Sequence, residues 1–147
     1  MTEEQIALAR RVVVCKGWRW MPGMAIGSLI LTSTDGLVVL PCGRVLDVVD
    51  DDGMQMVSAS EYPYDDEGVP EYRWADRMNI PDLADPATLG CLLVLVREHH
   101  KEPRLAVVPT GKGWSVSRVW LRSPHDRVAG VHTLEAEALV AALEAAP

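Results

Sequence analysis

The sequence predicts an α+β protein: a single domain over residues 1–147, with an antiparallel sheet built from hairpins and three helices packed mainly on one face. Three observations predict it. Runs of β-prone apolar residues flank tight-turn signals at Asp35-Gly36, Asp52-Gly53 and Gly111-Lys112-Gly113. Three other segments carry apolar residues at helical spacing behind recognisable start signals. The strands follow one another through turns instead of alternating with helices, which disfavours a parallel sheet. At 147 residues the chain is the size of one domain and long enough to bury a core.

The first helix is expected over about residues 3–16. Thr2 and Gln5 form a capping-box pattern, and Glu3 and Glu4 sit in the positive first turn. Gly17 offers the left-handed stop, and the β-branched run Val12-Val13-Val14 weakens the helix end. Pro22-Gly23 reads as a turn after Trp18-Arg19-Trp20, whose two rings share one side of an extended segment. Core anchoring outweighs an aromatic nucleic-acid platform there, because the chain has no phenylalanine. Residues 28–41 and 44–59 then give two hairpins, which together make a four-stranded meander.

Residues 81–101 hold the clearest helix. Asp85 caps it, Pro86 takes the first position, and Leu89, Leu92, Leu93 and Val96 recur at i, i+3, i+4 and i+7. Gly90 within it is expected to mark close packing against the sheet, and Cys91 to be core. Residues 104–123 form a third hairpin, with Trp114, Val116, Arg118 and Trp120 on one face. Thr133 caps a last helix, Leu134 to Ala146.

The stretch EYPYDDEGVPEYRWADR, residues 61–77, fits no period. Pro63, Gly68 and Pro70 interrupt it, yet it holds all three tyrosines and Trp74. A loop of about 20 residues is unusual in a compact domain and is often functional. Tyrosine and tryptophan favour interfaces. The aromatics either fold back as a lid or stand out with the neighbouring acids as a binding surface.

Charge is unevenly distributed. The net charge is −7, but Asp35 to Asp85 holds thirteen acids against three arginines. An acidic middle repels phosphates, which argues against direct nucleic-acid binding, and attracts a basic protein surface. No run approaches the ~20 apolar residues of a membrane helix. The N-terminus lacks the basic start of a signal peptide, and three widely spaced cysteines suit a reducing cytoplasm.

Catalytic and metal patterns are tested and fail. Aligning Gly53 with the glycine of a calcium loop puts Val48 and Ala59 at ligand positions that require oxygen side chains. Around Lys112 a phosphate loop would need glycine where Ala106 stands and Ser or Thr where Gly113 stands. Adjacent His99 and His100 point about 100° apart on a helix, which is no zinc pair. Cys42, beside Arg44, is the least implausible nucleophile, but no histidine partner is identifiable. No cofactor and no metal site is indicated.

The segments PDLADPATLGCLLVLVREHH, GWRWMPGM and TLEAEALVAALEAAP resemble small proteins encoded by bacteriophages and prophages of proteobacteria. The similarity runs through most of the chain, with the helix motif its most specific part; the acidic stretch is outside it. The resemblance implies an origin and brings no activity or site residues with it. It implies a protein of the infected bacterial cytoplasm that binds host machinery. The expected docking surface combines the charge of Asp50, Asp51, Asp52, Asp65, Asp66 and Glu67 with the contact area of Tyr62, Tyr64, Tyr72 and Trp74, facing a host protein with a basic surface. Two alternatives stay open: an enzyme or small-molecule binder with a pocket between the sheet and the 60–80 loop (Trp18, Trp20 and Cys42 nearby), and a structural protein that forms a homodimer through hairpin edges.

Overall fold

A computed structural model describes residues 1–32, 36–52, 54–60, 68, 71–74, 78–118 and 127–147. Among these residues there are three helices and seven strands in the order α1 (Glu3–Val13), β1 (Ala25–Thr32), β2 (Gly36–Asp51), β3 (Met54–Ala59), β4 (Arg73–Trp74), β5 (Asn79–Pro81), α2 (Pro86–His99), β6 (Leu105–Thr110), β7 (Gly113–Arg118) and α3 (Glu135–Glu144). The strands pair antiparallel throughout, as expected of the α+β class. They form two sheets: a five-stranded one in the order β4-β3-β2-β1-β5, and the β6-β7 hairpin. The chain divides into two compact units. The first comprises Met1–Ala9 and Arg19–Thr88, the second Arg10–Trp18 and Leu89–Pro147.

In the first unit, β1 and β2 pair with Leu29 opposite Val39 and Thr32 opposite Gly36; residues 33–35 lie outside the described residues. Residues 36–51 form one 16-residue strand where two were expected. The sequence suggested a break at Pro41-Cys42-Gly43. The sheet absorbs those residues as a bulge: Ala25 pairs with Arg44 and Gly27 with Pro41, so Cys42 and Gly43 together face Ile26. Gly43 adopts φ 79, a left-handed conformation that a side chain disfavours. A second irregularity lies at Leu46, between the pairs Val45–Ala59 and Asp47–Ser58. The strands β4 and β5, which no local pattern announced, are short edges, and Pro81 is tolerated in β5 because that strand is an edge.

Trp20, Met24, Ile26, Leu29, Val45, Val57 and Ile80 fill the core of this unit. Burying each such side chain contributes roughly 1.5–3 kcal/mol. Trp20 is fixed at its backbone by Gln55, whose Oε1 accepts from Trp20 N–H at 2.6 Å and whose Nε2 donates to Trp20 C=O at 3.4 Å. The anchoring role expected of this tryptophan is therefore observed; Trp18 is half-buried.

α1 begins with the expected capping box, Thr2 N–H to Gln5 Oε1 at 2.8 Å and Gln5 N–H to Thr2 Oγ1 at 3.2 Å. It stops at Val13, three residues early. Val14 and Cys15 bond back three residues, to Arg11 and Val12, as a tightened last turn before Gly17 (φ 84). α2 begins as expected, but its buried face is rotated. Thr88, Leu92, Leu95 and Val96 are buried, while Leu89, Leu93 and Cys91 are half-buried. Thr88 is drawn inward because its Oγ1 accepts the Ala25 N–H at 2.8 Å. Gly90 is exposed with open space beside it, so it marks no close packing.

In the second unit, β6 and β7 pair from Leu105–Arg118 to Thr110–Gly113, and residues 127 and 132 bridge to β7. The outer edge of β6 is blocked at its first residue and interrupted at Pro109. Arg97 Nε donates to Leu105 C=O at 2.7 Å, Leu105 N–H bonds Glu102 C=O, and Pro109 has no N–H to offer. α3 starts at Glu135, with Leu134 and not Thr133 at the cap position. The Glu137 carboxylate closes that end by accepting Leu134 N–H at 3.1 Å. Leu139, Val140, Ala142 and Leu143 are buried, and His100 Nε2 lies 2.8 Å from Ala142 C=O in the last turn.

Candidate docking surface on the acidic hairpin

The two units differ in charge. The first holds fifteen acids and four Lys or Arg, net −11; the second holds six acids and ten Lys or Arg, net +4. Within the first unit, β2 and β3 carry acids to the tip of a hairpin. Asp50 and Asp52 are exposed, and Asp52 adopts φ 50, a left-handed turn conformation that aspartate tolerates.

Alternation along the hairpin separates its two sides. Val57 and Gln55, with Val48 opposite Val57, face the side where Trp20 is held. Val49 pairs with Met56 on the other side, and Met54 stands two residues before Met56. There Val49 is 41 % exposed and Met54 59 %. Leu46, the residue extruded at the bulge, is also exposed.

One end of this strip is closed by a bond that the sequence did not suggest. Tyr72 Oη donates to Asp47 Oδ2 at 2.6 Å. Asp47 pairs with buried Ser58 on β3, and Tyr72 directly precedes β4, so the phenol spans the width of β3. The bond holds the Asp47 carboxyl below its ordinary range, helped by the Val48 N–H on Oδ1 at 2.9 Å, and pushes the Tyr72 phenol above its own. Asp47 is therefore ionised at neutral pH.

Of the ten expected docking residues, Asp50, Asp52 and Tyr72 belong to this one hairpin and its neighbour. The backbones of Asp51 and Trp74 lie in β2 and β4. Tyr62, Tyr64, Asp65, Asp66 and Glu67 lie outside the described residues. Tyr72 is half-buried and tied to Asp47. Asp47, Val49 and Met54 are additions. The Met-Gln-Met alternation at 54–56 carried a signal for the last of them, since it puts two thioethers on one side of a strand.

No family model matches the chain, and comparison with curated proteins and with solved structures gave no significant match.

Among the described residues the other candidate chemistries do not gather into sites. Cys42 is half-buried, with Sγ 3.6 Å from Leu40 C=O. The Arg44 guanidinium beside it in sequence is committed to Gly23 C=O and Asp85. Burial pushes the Cys15 thiol up, which keeps it protonated and unreactive at neutral pH. Among the described residues no three His, Cys, Asp or Glu side chains could hold a metal ion, and no helix is long and apolar enough to cross a membrane. A shallow cavity of about 230 Å³ between the ends of α1 and α3 is lined by Arg11, Val14, Cys15, Lys16, Leu143 and Glu144. It is smaller than the roughly 300–1,000 Å³ of ordinary ligand sites. The pocket expected beneath the 60–80 loop involves residues outside the described set.

Proposed function

We propose that the chain is a phage- or prophage-encoded accessory protein that binds a host protein in the bacterial cytoplasm, acting as an acidic inhibitor of nucleic-acid-handling machinery. One observation carries the reading: exposed Asp50 and Asp52 flank exposed Val49 and Met54 on a unit of net charge −11. Carboxylates steer a basic partner toward the hairpin, and apolar side chains supply the area that a charged rim alone does not. A host surface that normally holds phosphates offers the complementary charge. The three cysteines are free thiols, in keeping with a reducing compartment.

The test is capture of host proteins on the immobilised chain, with each captured protein identified and then challenged with a DNA oligonucleotide. The reading expects at least one nucleic-acid-binding protein that DNA displaces, that is lost at high salt, and that is lost on Asp50→Lys/Asp52→Lys. Captured proteins indifferent to both the double variant and DNA would remove the acidic hairpin from the function.

A further inference from the structure

We propose that the solvent side of the β2–β3 hairpin receives a basic amphipathic helix of its partner, with the apolar stripe of that helix on Val49, Met54 and Met56 and its Lys or Arg residues toward Asp47 and Asp52. The inference rests on the docking function above and specifies the chemistry of the partner.

Both sides of the hairpin carry apolar side chains, although the Val49 side also bears Asp47 and buried Ser58. Val57 is fully buried on the Trp20 side. The opposite side leaves Val49 41 % and Met54 59 % exposed beside half-buried Met56. Alternation of an ordinary half-buried strand would put polar residues there. Methionine is flexible and polarisable, and suits a surface that must accept apolar side chains of another chain.

Acids bracket the strip. Asp47 stands at one end, held ionised by the Tyr72 hydroxyl, and exposed Asp52 stands at the tip; Asp50, opposite Gln55, belongs to the Trp20 side. An apolar stripe flanked by cations is the pattern of a basic amphipathic helix laid on a surface. A strand partner would use main-chain groups at a sheet edge and would not need the exposed side chains of the face. Along the outer edge of β3, moreover, β4 already pairs with Met56 and Val57.

Two synthetic peptides of identical composition distinguish these cases: a Leu/Lys sequence with leucines on one helical face, and the same residues scrambled to remove that face. Binding is measured by calorimetry, and peptide helicity by circular dichroism. The amphipathic peptide should bind about tenfold or more tighter than the scrambled one and gain helix on binding. Met54→Asp should weaken it, even though the added charge would strengthen a purely electrostatic contact. Equal affinity for both peptides, or tighter binding to Met54→Asp, overturns the helix proposal. If equal binding is still lost on Asp50→Asn/Asp52→Asn, the acidic docking function survives without it; no binding of either peptide, with no host protein captured, ends both.

Discussion

The Arg44 guanidinium grips the Asp85 carboxylate with both arms: Nη1 donates to Oδ2 at 3.0 Å and Nη2 to Oδ1, across 41 residues of sequence. The same Nη1 reaches Gly23 C=O at 2.8 Å. Asp85 also caps α2, accepting the Thr88 N–H at 2.8 Å and the Thr88 hydroxyl at 3.0 Å. One carboxylate thus ties the β2 bulge region to the first turn of α2.

These bonds, Arg44 foremost, lower Asp85 from 3.8 to about 2. A carboxyl with a depressed folded pKa contributes stability that is present above its unfolded value and lost as pH falls through the folded one. Acid titration followed by circular dichroism should therefore show wild-type stability declining between about pH 4 and about pH 2, and Asp85→Asn should remove that part of the decline. At neutral pH, Asp85→Ala should destabilise the chain by about 1–2 kcal/mol through the lost cap.

The ion pair of Arg11 with Glu144 has equally good geometry, with Nη2 2.7 Å from Oε2, but its side chains are 55 % and 38 % exposed. Solvent screens such pairs. Glu144→Gln should change stability by less than about 1 kcal/mol, measured by urea unfolding, and salt should shrink the difference further. A loss as large as that of Asp85→Ala would contradict this ranking.

Tyr72 and Asp47 perturb each other, so each variant should be read on the partner. Asp47→Asn should bring the Tyr72 phenol back toward its ordinary 10.0, seen as tyrosinate absorbance developing at lower pH. Tyr72→Phe should raise the Asp47 carboxyl toward 3.8, seen by NMR titration of its side-chain carbon. Unmoved titrations would mean that the phenol does not reach β2 in solution.

At Gly113, φ is 137, and a Cβ would run into the His132 carbonyl, which is backbone and cannot rotate away. Trp114 and His132 exchange both backbone bonds there, at 2.7 and 2.8 Å. Gly113→Ala should cost on the order of 1–3 kcal/mol in thermal or urea unfolding. Gly111→Ala, with nothing near its Cβ position, should be close to neutral.

By itself the sequence determined what is settled within a few residues of chain. The Thr2–Gln5 box, the Asp85 cap with Pro86 and the pairs that close the three hairpins bring together groups only two to four residues apart, so side-chain type and spacing suffice. The acidic bias of the middle was equally legible, because charge needs no coordinates. Tertiary structure decided the rest. It ran β2 through Pro41-Cys42-Gly43, because β1 could accept a bulge opposite Ile26. It rotated the buried face of α2 onto Thr88 and made edge strands of 73–74 and 79–81. It joined Tyr72 to Asp47 across 25 residues, and with them the strip of Val49 and Met54. No local preference encodes such pairings: their energy exists only once distant segments share a sheet, and burial then selects which face of each is left to the solvent.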